Sequence, residues 1–192
     1  TALMDLIPRG AYLAAATGFM GMVGVMSEAA STAVSREGTR HDMRKTYPLS
    51  GGQQLRAKVY MGVFFHMIGT VVAAVLVLVV MPAFWPETLL AFVCSAAIAL
   101  LLSLLCVIMD AYHPRLNWKT ETEAVKQNTN ALWSMLLALV AVALLVGAYL
   151  LCMKLDFGWY GSFAAVMVLV VLLDALMLLW LDRGAAKAYY NH

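Results

Sequence analysis

Glu28, His66 and Asp174 are ionisable side chains set inside long apolar segments of this sequence, with Asp110 and His113 at the border of another. Holding a carboxylate or an imidazole in such surroundings is costly, so each is a candidate for proton relay, ion coupling or ligand binding. A carboxylate with an imidazole also suits a metal ion. Their spacing matches no metal-ligating or catalytic motif, and each has a plainer reading. Glu28 lies toward the end of its segment, where a capped or snorkelling carboxylate is at home. His66, beside Phe64 and Phe65, suits a hydrogen bond to a neighbouring helix. The sequence holds no P-loop, G-x-S-x-G, H-E-x-x-H or Gly-rich dinucleotide fingerprint, so no ATP site, catalytic constellation or cofactor is expected. Cys94, Cys106 and Cys152 fall in or at the edge of apolar segments without C-x-x-C spacing, and read as small packing residues.

The elements that must position these groups are membrane helices. Hydrophobic residues make up 63% of the chain and charged residues 12%, against roughly 45–50% and about 25% in soluble domains. The mean hydropathy is +0.81. A net charge of +2 with localised basic residues gives no reason to expect nucleic acid as a partner. A bilayer core of about 30 Å needs roughly 20 apolar residues in a helix, and five segments meet that length: about 11–34, 59–81, 88–109, 131–153 and 161–182. None alternates apolar and polar residues as a membrane β-strand would. The expected fold is all-α, a single polytopic transmembrane helix bundle over residues 1–192.

Local signals refine this. Gly18, Gly21 and Gly24 recur every three residues and predict a flat face for close helix approach. Pro48 stops any helix before it, and Ser50 with Gln53 has the form of a capping box, so a new helix starts there and runs through Leu55, Arg56 and Lys58 into the second apolar segment. Residues 38–47 suit a short amphipathic helix along the membrane surface. Thr120 and Glu123 form a second capping-box pattern, with Glu121 and Glu123 in the first turn; Glu123 and Gln127 are spaced to pair.

Charge assigns the sides. Arg36, Arg40, Arg44, Lys45, Arg56 and Lys58 share one loop. Arg115, Lys119 and Lys126, then Arg183 and Lys187, fall on the same side if the segments alternate. Arg9 and Lys154 alone lie opposite. The positive-inside rule therefore places residues 35–58, residues 110–130 and the carboxyl end in the cytoplasm of a plasma-membrane protein. A chain starting at Thr1, with no start signal and an external amino end, reads as the carboxyl-terminal part of a longer polypeptide.

The stretch STAVSREG, followed by TYPLSGGQQLRAK leading into a membrane segment, resembles the cytoplasmic loop of ATP-binding cassette export permeases of the type-two class. HPRLNWKTETEAVKQN is similar to a stretch in a bacterial putative exporter subfamily of those permeases. The resemblance implies a six-span unit whose second to sixth spans are present here. It also implies a separate ATP-hydrolysing subunit as partner, and a second permease copy or homologous half beside it in the bilayer. Arg36, Glu37, Arg40, Arg44, Lys45 and Gln54 would then contact or couple to the ATPase. Gly51-Gly52 stands where such loops more usually carry a polar or basic pair, and His41-Asp42 adds charge.

Three other readings stay open from the residues alone. An ion-coupled secondary transporter would use Glu28, His66 or Asp174. A membrane-embedded enzyme would bring the same three residues to one cavity, and a structural subunit would do neither.

Overall fold

The computed structural model describes residues 7–23, 28–126 and 128–191. Among these the chain is helical, without strands. In order it forms α1 (Arg9–Val23), α2 (Glu28–Ser31), a 3-10 turn (Ser35–Arg40), α3 (His41–Lys45) and α4 (Gly51–Val80). A short 3-10 turn (Pro82–Phe84) leads into α5 (Trp85–Tyr112), followed by α6 (Glu121–Lys126), α7 (Thr129–Lys154) and α8 (Gly158–Trp180). A π-helical turn (Leu181–Ala185) joins α8 to α9 (Ala186–Asn191).

Four helices among the described residues are long and apolar enough to cross a membrane, not the five expected. They begin or end with α4, α5, α7 and α8, close to the predicted segments. The difference lies in segment 11–34. There α1 has 15 residues, about 22 Å at 1.5 Å per residue and short of the bilayer core. Residues 24–27 lie outside the described residues, and α2 follows after them.

Helix boundaries follow from local chemistry. Before α4, the Ser50 hydroxyl accepts the Gln53 amide at 3.3 Å and the Gln53 side chain accepts the Ser50 amide at 2.9 Å, completing the predicted box. The second box is altered. Thr120 caps the Glu123 amide at 3.2 Å, but the Glu123 carboxylate takes the Lys119 amide at 3.1 Å in place of that of Thr120. Asn128 caps α7 by accepting the Asn130 amide at 2.9 Å. Residues 38–47 are divided between the 3-10 turn and α3, because Gly38 breaks the helical path at φ 51°.

The central helix is α5, which packs against α1, α4, α7 and α8. One cluster joins Val34, Leu55, Val59, Leu104, Val107 and Tyr189 at the basic end of the bundle. A second joins Tyr12, Leu13, Met20 and Phe84 at the opposite end, where Arg9 pairs with Glu87 at 2.9 Å. A third holds α7 and α8 on α5 through Ile98, Leu102, Ala138 and Val170. The outer surface is apolar: on α4, Phe64, Ile68, Val72, Leu76 and Val79 are all about half or more exposed. Hydrocarbon, not water, is the solvent such a surface fits.

Glycines set two close approaches. Side chains at Gly51 and Gly52 would collide with Ala186, Tyr190 and Asp182, so this pair lets the start of α4 lie against the α8–α9 junction. Gly21 meets Ile98, but the predicted glycine face is incomplete. A Cβ on Gly18 would meet nothing within 4 Å, and Gly24 lies outside the described residues.

Candidate functional site

Under the basic loop, two buried carboxylates tie the 3-10 turn to the ends of the long helices. Asp110, in the last turn of α5, is fully buried. One of its oxygens accepts the backbone N–H groups of Val34 and Ser35 at 2.6 and 2.9 Å. The other accepts the Ser35 hydroxyl and, at 2.7 Å, the Asn130 side-chain amide from α7. No cation pairs with it among the described residues. Four donors carry the compensation instead, which is how a carboxylate stays acceptable in a low-dielectric site.

Ser35 is the hub of this node. Besides donating to Asp110, its hydroxyl accepts the Arg115 amide at 2.9 Å, and its carbonyl accepts the Trp118 indole N–H at 2.9 Å. Three residues on, a Cβ at Gly38 would lie 2.6 Å from the Trp118 ring. Gly38 therefore serves twice, supplying the positive φ and the space for the indole. The SREG and LNW stretches thus interlock.

Glu37 makes the second node and is 3% exposed. Its Oε1 accepts Lys58 Nζ from α4 at 2.6 Å and Arg44 at 3.3 Å; its Oε2 lies 2.6 Å from His41 Nδ1. The Tyr189 hydroxyl from α9 lies 3.0 Å from Oε2 and 3.0 Å from Gln54 Oε1. His41 Nε2 faces the Tyr189 carbonyl at 3.0 Å. Both ring nitrogens of His41 therefore lie within hydrogen-bond distance of oxygen atoms. Lys58 also donates to the Ala33 carbonyl at 2.8 Å. Burial pushes the Glu37 carboxyl up, but the Lys58 charge and hydrogen bond, with His41 and Tyr189, outweigh it and hold the group below its ordinary value.

Of the residues expected to meet a partner, Arg36, Arg40 and Arg44 are exposed, Lys45 and Gln54 are half-buried, and Glu37 is interior. Glu37 orders the loop and presents no contact surface. Beside the three arginines, Met43, Tyr47 and Leu49 are each about half exposed. A hollow of about 450 Å³ lies between Arg36, Arg44, Tyr47, Leu49, Gln54 and Lys58. Its lining mixes guanidinium, ammonium and apolar side chains.

The intramembrane candidates do not converge. The side chain of Glu28 lies outside the described residues. His66 is buried and reaches the Met20 carbonyl of α1 at 3.2 Å, a helix-to-helix hydrogen bond. Asp174 is buried on α8 with one carboxylate oxygen unpartnered among the described residues, one turn from Val170 in the α5–α7–α8 cluster. Among the described residues no group of His, Cys, Asp and Glu could hold a metal ion.

Sequence reasoning named Asp110 as a candidate without its partners, and missed Tyr189. Asp110 was legible only as a charge at a helix border, and Tyr189 only as one of two tyrosines near the carboxyl end. Their roles arise from partners 75 and 152 residues away.

Fold and surface together define a helical membrane protein. No family model, curated protein or solved structure matches the chain.

Proposed function

We propose that this chain is the permease part of an ATP-driven exporter of the type-two class, coupled to a separate ATPase subunit through the Ser35–Lys58 loop on the cytoplasmic side. In this reading α1 and α2 together form the first of five spans, and the carboxyl end is cytoplasmic. One observation carries the proposal. The two stretches that resemble exporter permeases, distant in sequence, interlock at Ser35, Gly38 and Trp118. From that junction Glu37 and Asp110 connect the loop to α4, α5, α7 and α9. A loop that only anchored lipid would need positive charge alone. This one is stiffly joined to the spans, as transmission of mechanical work requires.

Co-expression with candidate P-loop ATPases, followed by co-purification and ATPase assay, tests the reading. Arg36→Glu, Arg40→Glu and Arg44→Glu together should release the ATPase while leaving the permease in the membrane. Gln54→Pro removes the 3.0 Å bond from the Gln54 amide to the Ser50 carbonyl and should uncouple hydrolysis from transport. If both variants match wild type at equal expression, lipid anchoring replaces coupling. Asp174, buried without a partner for one oxygen among the described residues, favours one second reading, an ion-coupled secondary transporter. Transport driven by a proton or sodium gradient without nucleotide would establish it.

A further inference from the structure

At the end of the bundle away from the basic loop, α1 stands off from its neighbours and leaves a cavity of about 310 Å³ between α1, α5, α7 and α8. The contacts at its two ends are tight. Gly10 lies against Trp159 on one side, and Gly21 would place a Cβ 2.9 Å from Ile98 on the other. Between them Ala11, Ala14, Ala15 and Gly18 present only small side chains, and the Gly18 position faces open space. The gap is therefore built into a helix that is closely held on either side of it.

The lining carries no charge. Its Thr17 hydroxyl is already spent on the Leu13 carbonyl at 2.8 Å. Tyr149 lines the cavity too, and its hydroxyl is buried with no hydrogen-bond partner among the described residues. Val146 and Leu150 also contribute to the wall and are 50% and 55% exposed, so the opening lies on the apolar outer surface of the bundle. What stands at that opening in a membrane is hydrocarbon.

We infer that this cavity is a binding site for one acyl chain of an amphiphile, with the Tyr149 hydroxyl donating to the carbonyl at the head of the chain. Three features select that ligand: an uncharged apolar lining, an opening to the lipid side and the buried, unspent hydroxyl of Tyr149. The volume is at the low end of the roughly 300–1,000 Å³ of ligand pockets, which suits one chain and not a whole diacyl lipid. The inference is independent of the ATPase proposed above, since the cavity lies at the other end of the bundle.

The test uses the whole chain reconstituted in phosphatidylcholine vesicles containing a small fraction of phosphatidylcholine with a diazirine in one acyl chain. A parallel sample carries a diazirine fatty acid, to separate a bilayer lipid from a free single-chain amphiphile. After illumination, labelled peptides are mapped by mass spectrometry. Labelling by either probe should concentrate on residues 11–18, 145–150 and 159–167. Gly18→Leu fills the cavity from a position with room for a side chain, and should lower that labelling about tenfold. Gly147→Leu is the control: its Cβ also meets nothing within 4 Å, but it lies outside the cavity, and labelling should not change. Tyr149→Phe should reduce labelling by both probes. Labelling spread evenly over the outer surface, or unchanged by Gly18→Leu in a variant of normal yield and elution, overturns the inference. Unchanged labelling in Tyr149→Phe overturns the carbonyl contact.

Discussion

Asp110 holds Ser35 from two directions, one carboxylate oxygen taking the Ser35 amide at 2.9 Å and the other its hydroxyl. A group at the end of α5 thereby fixes the start of the 3-10 turn, 75 residues earlier. All four of its partners donate, so replacing one oxygen by an amide NH₂ turns an acceptor against donors. Asp110→Asn should destabilise the protein by about 1–3 kcal/mol, and open the loop to protease. Thermal unfolding in detergent and limited proteolysis of residues 35–58 check this; a variant as stable and as protected as wild type would remove Asp110 from the clamp.

Glu37 neutralises the buried Lys58, so removing its charge leaves that ammonium without an anion. Glu37→Gln should cost about 3–5 kcal/mol, the range for breaking a buried ion pair from one side. Lys58→Met in the Glu37→Gln background should recover part of that loss. Additive losses in the double variant would contradict the pairing.

The same residue gives a pH dependence. Its folded carboxyl is held below the ordinary value of 4.5. The stability it contributes is therefore fully present above the unfolded value and is lost as pH falls through the folded one. Wild-type unfolding temperature should drop on acidification below about pH 4.5. Glu37→Gln should show a shallower drop over the same interval, and equal slopes would exclude Glu37 as a contributor.

Gly38 combines a φ of 51° with contact to the Trp118 ring. Gly38→Ala introduces both strain and overlap, and should destabilise by about 1–3 kcal/mol. Trp118→Leu should relieve the overlap but not the strain, restoring part of the loss. Tryptophan fluorescence during denaturation would read both, and a neutral Gly38→Ala would show that the turn adapts.

Orientation is open to direct measurement. Arg40 and Lys119 are both exposed at the basic end of the bundle. In a variant without native cysteines, Arg40→Cys and Lys119→Cys should resist a membrane-impermeant thiol reagent applied to intact cells and react once the membrane is permeabilised. Reaction in intact cells would reverse the assignment.

Composition and hydrophobic length alone determined that the chain is a helical membrane protein, because a segment in hydrocarbon must satisfy its backbone internally and a helix does this with local bonds. The capping box at Ser50 and Gln53 was legible for the same reason, its partners being three residues apart. Segment 11–34 was read as one span from its apolar length alone, and among the described residues it holds α1 and α2, neither long enough by itself to cross a bilayer. Gly18 was expected to pack closely because spacing identifies a helix face without saying what lies opposite it. The functions of Asp110, Glu37, Tyr189 and Trp118 were decided only by the tertiary structure. Each is defined by hydrogen bonds to groups distant in sequence, and no local pattern specifies which polar residues at the ends of separate helices will meet once α5 has gathered them.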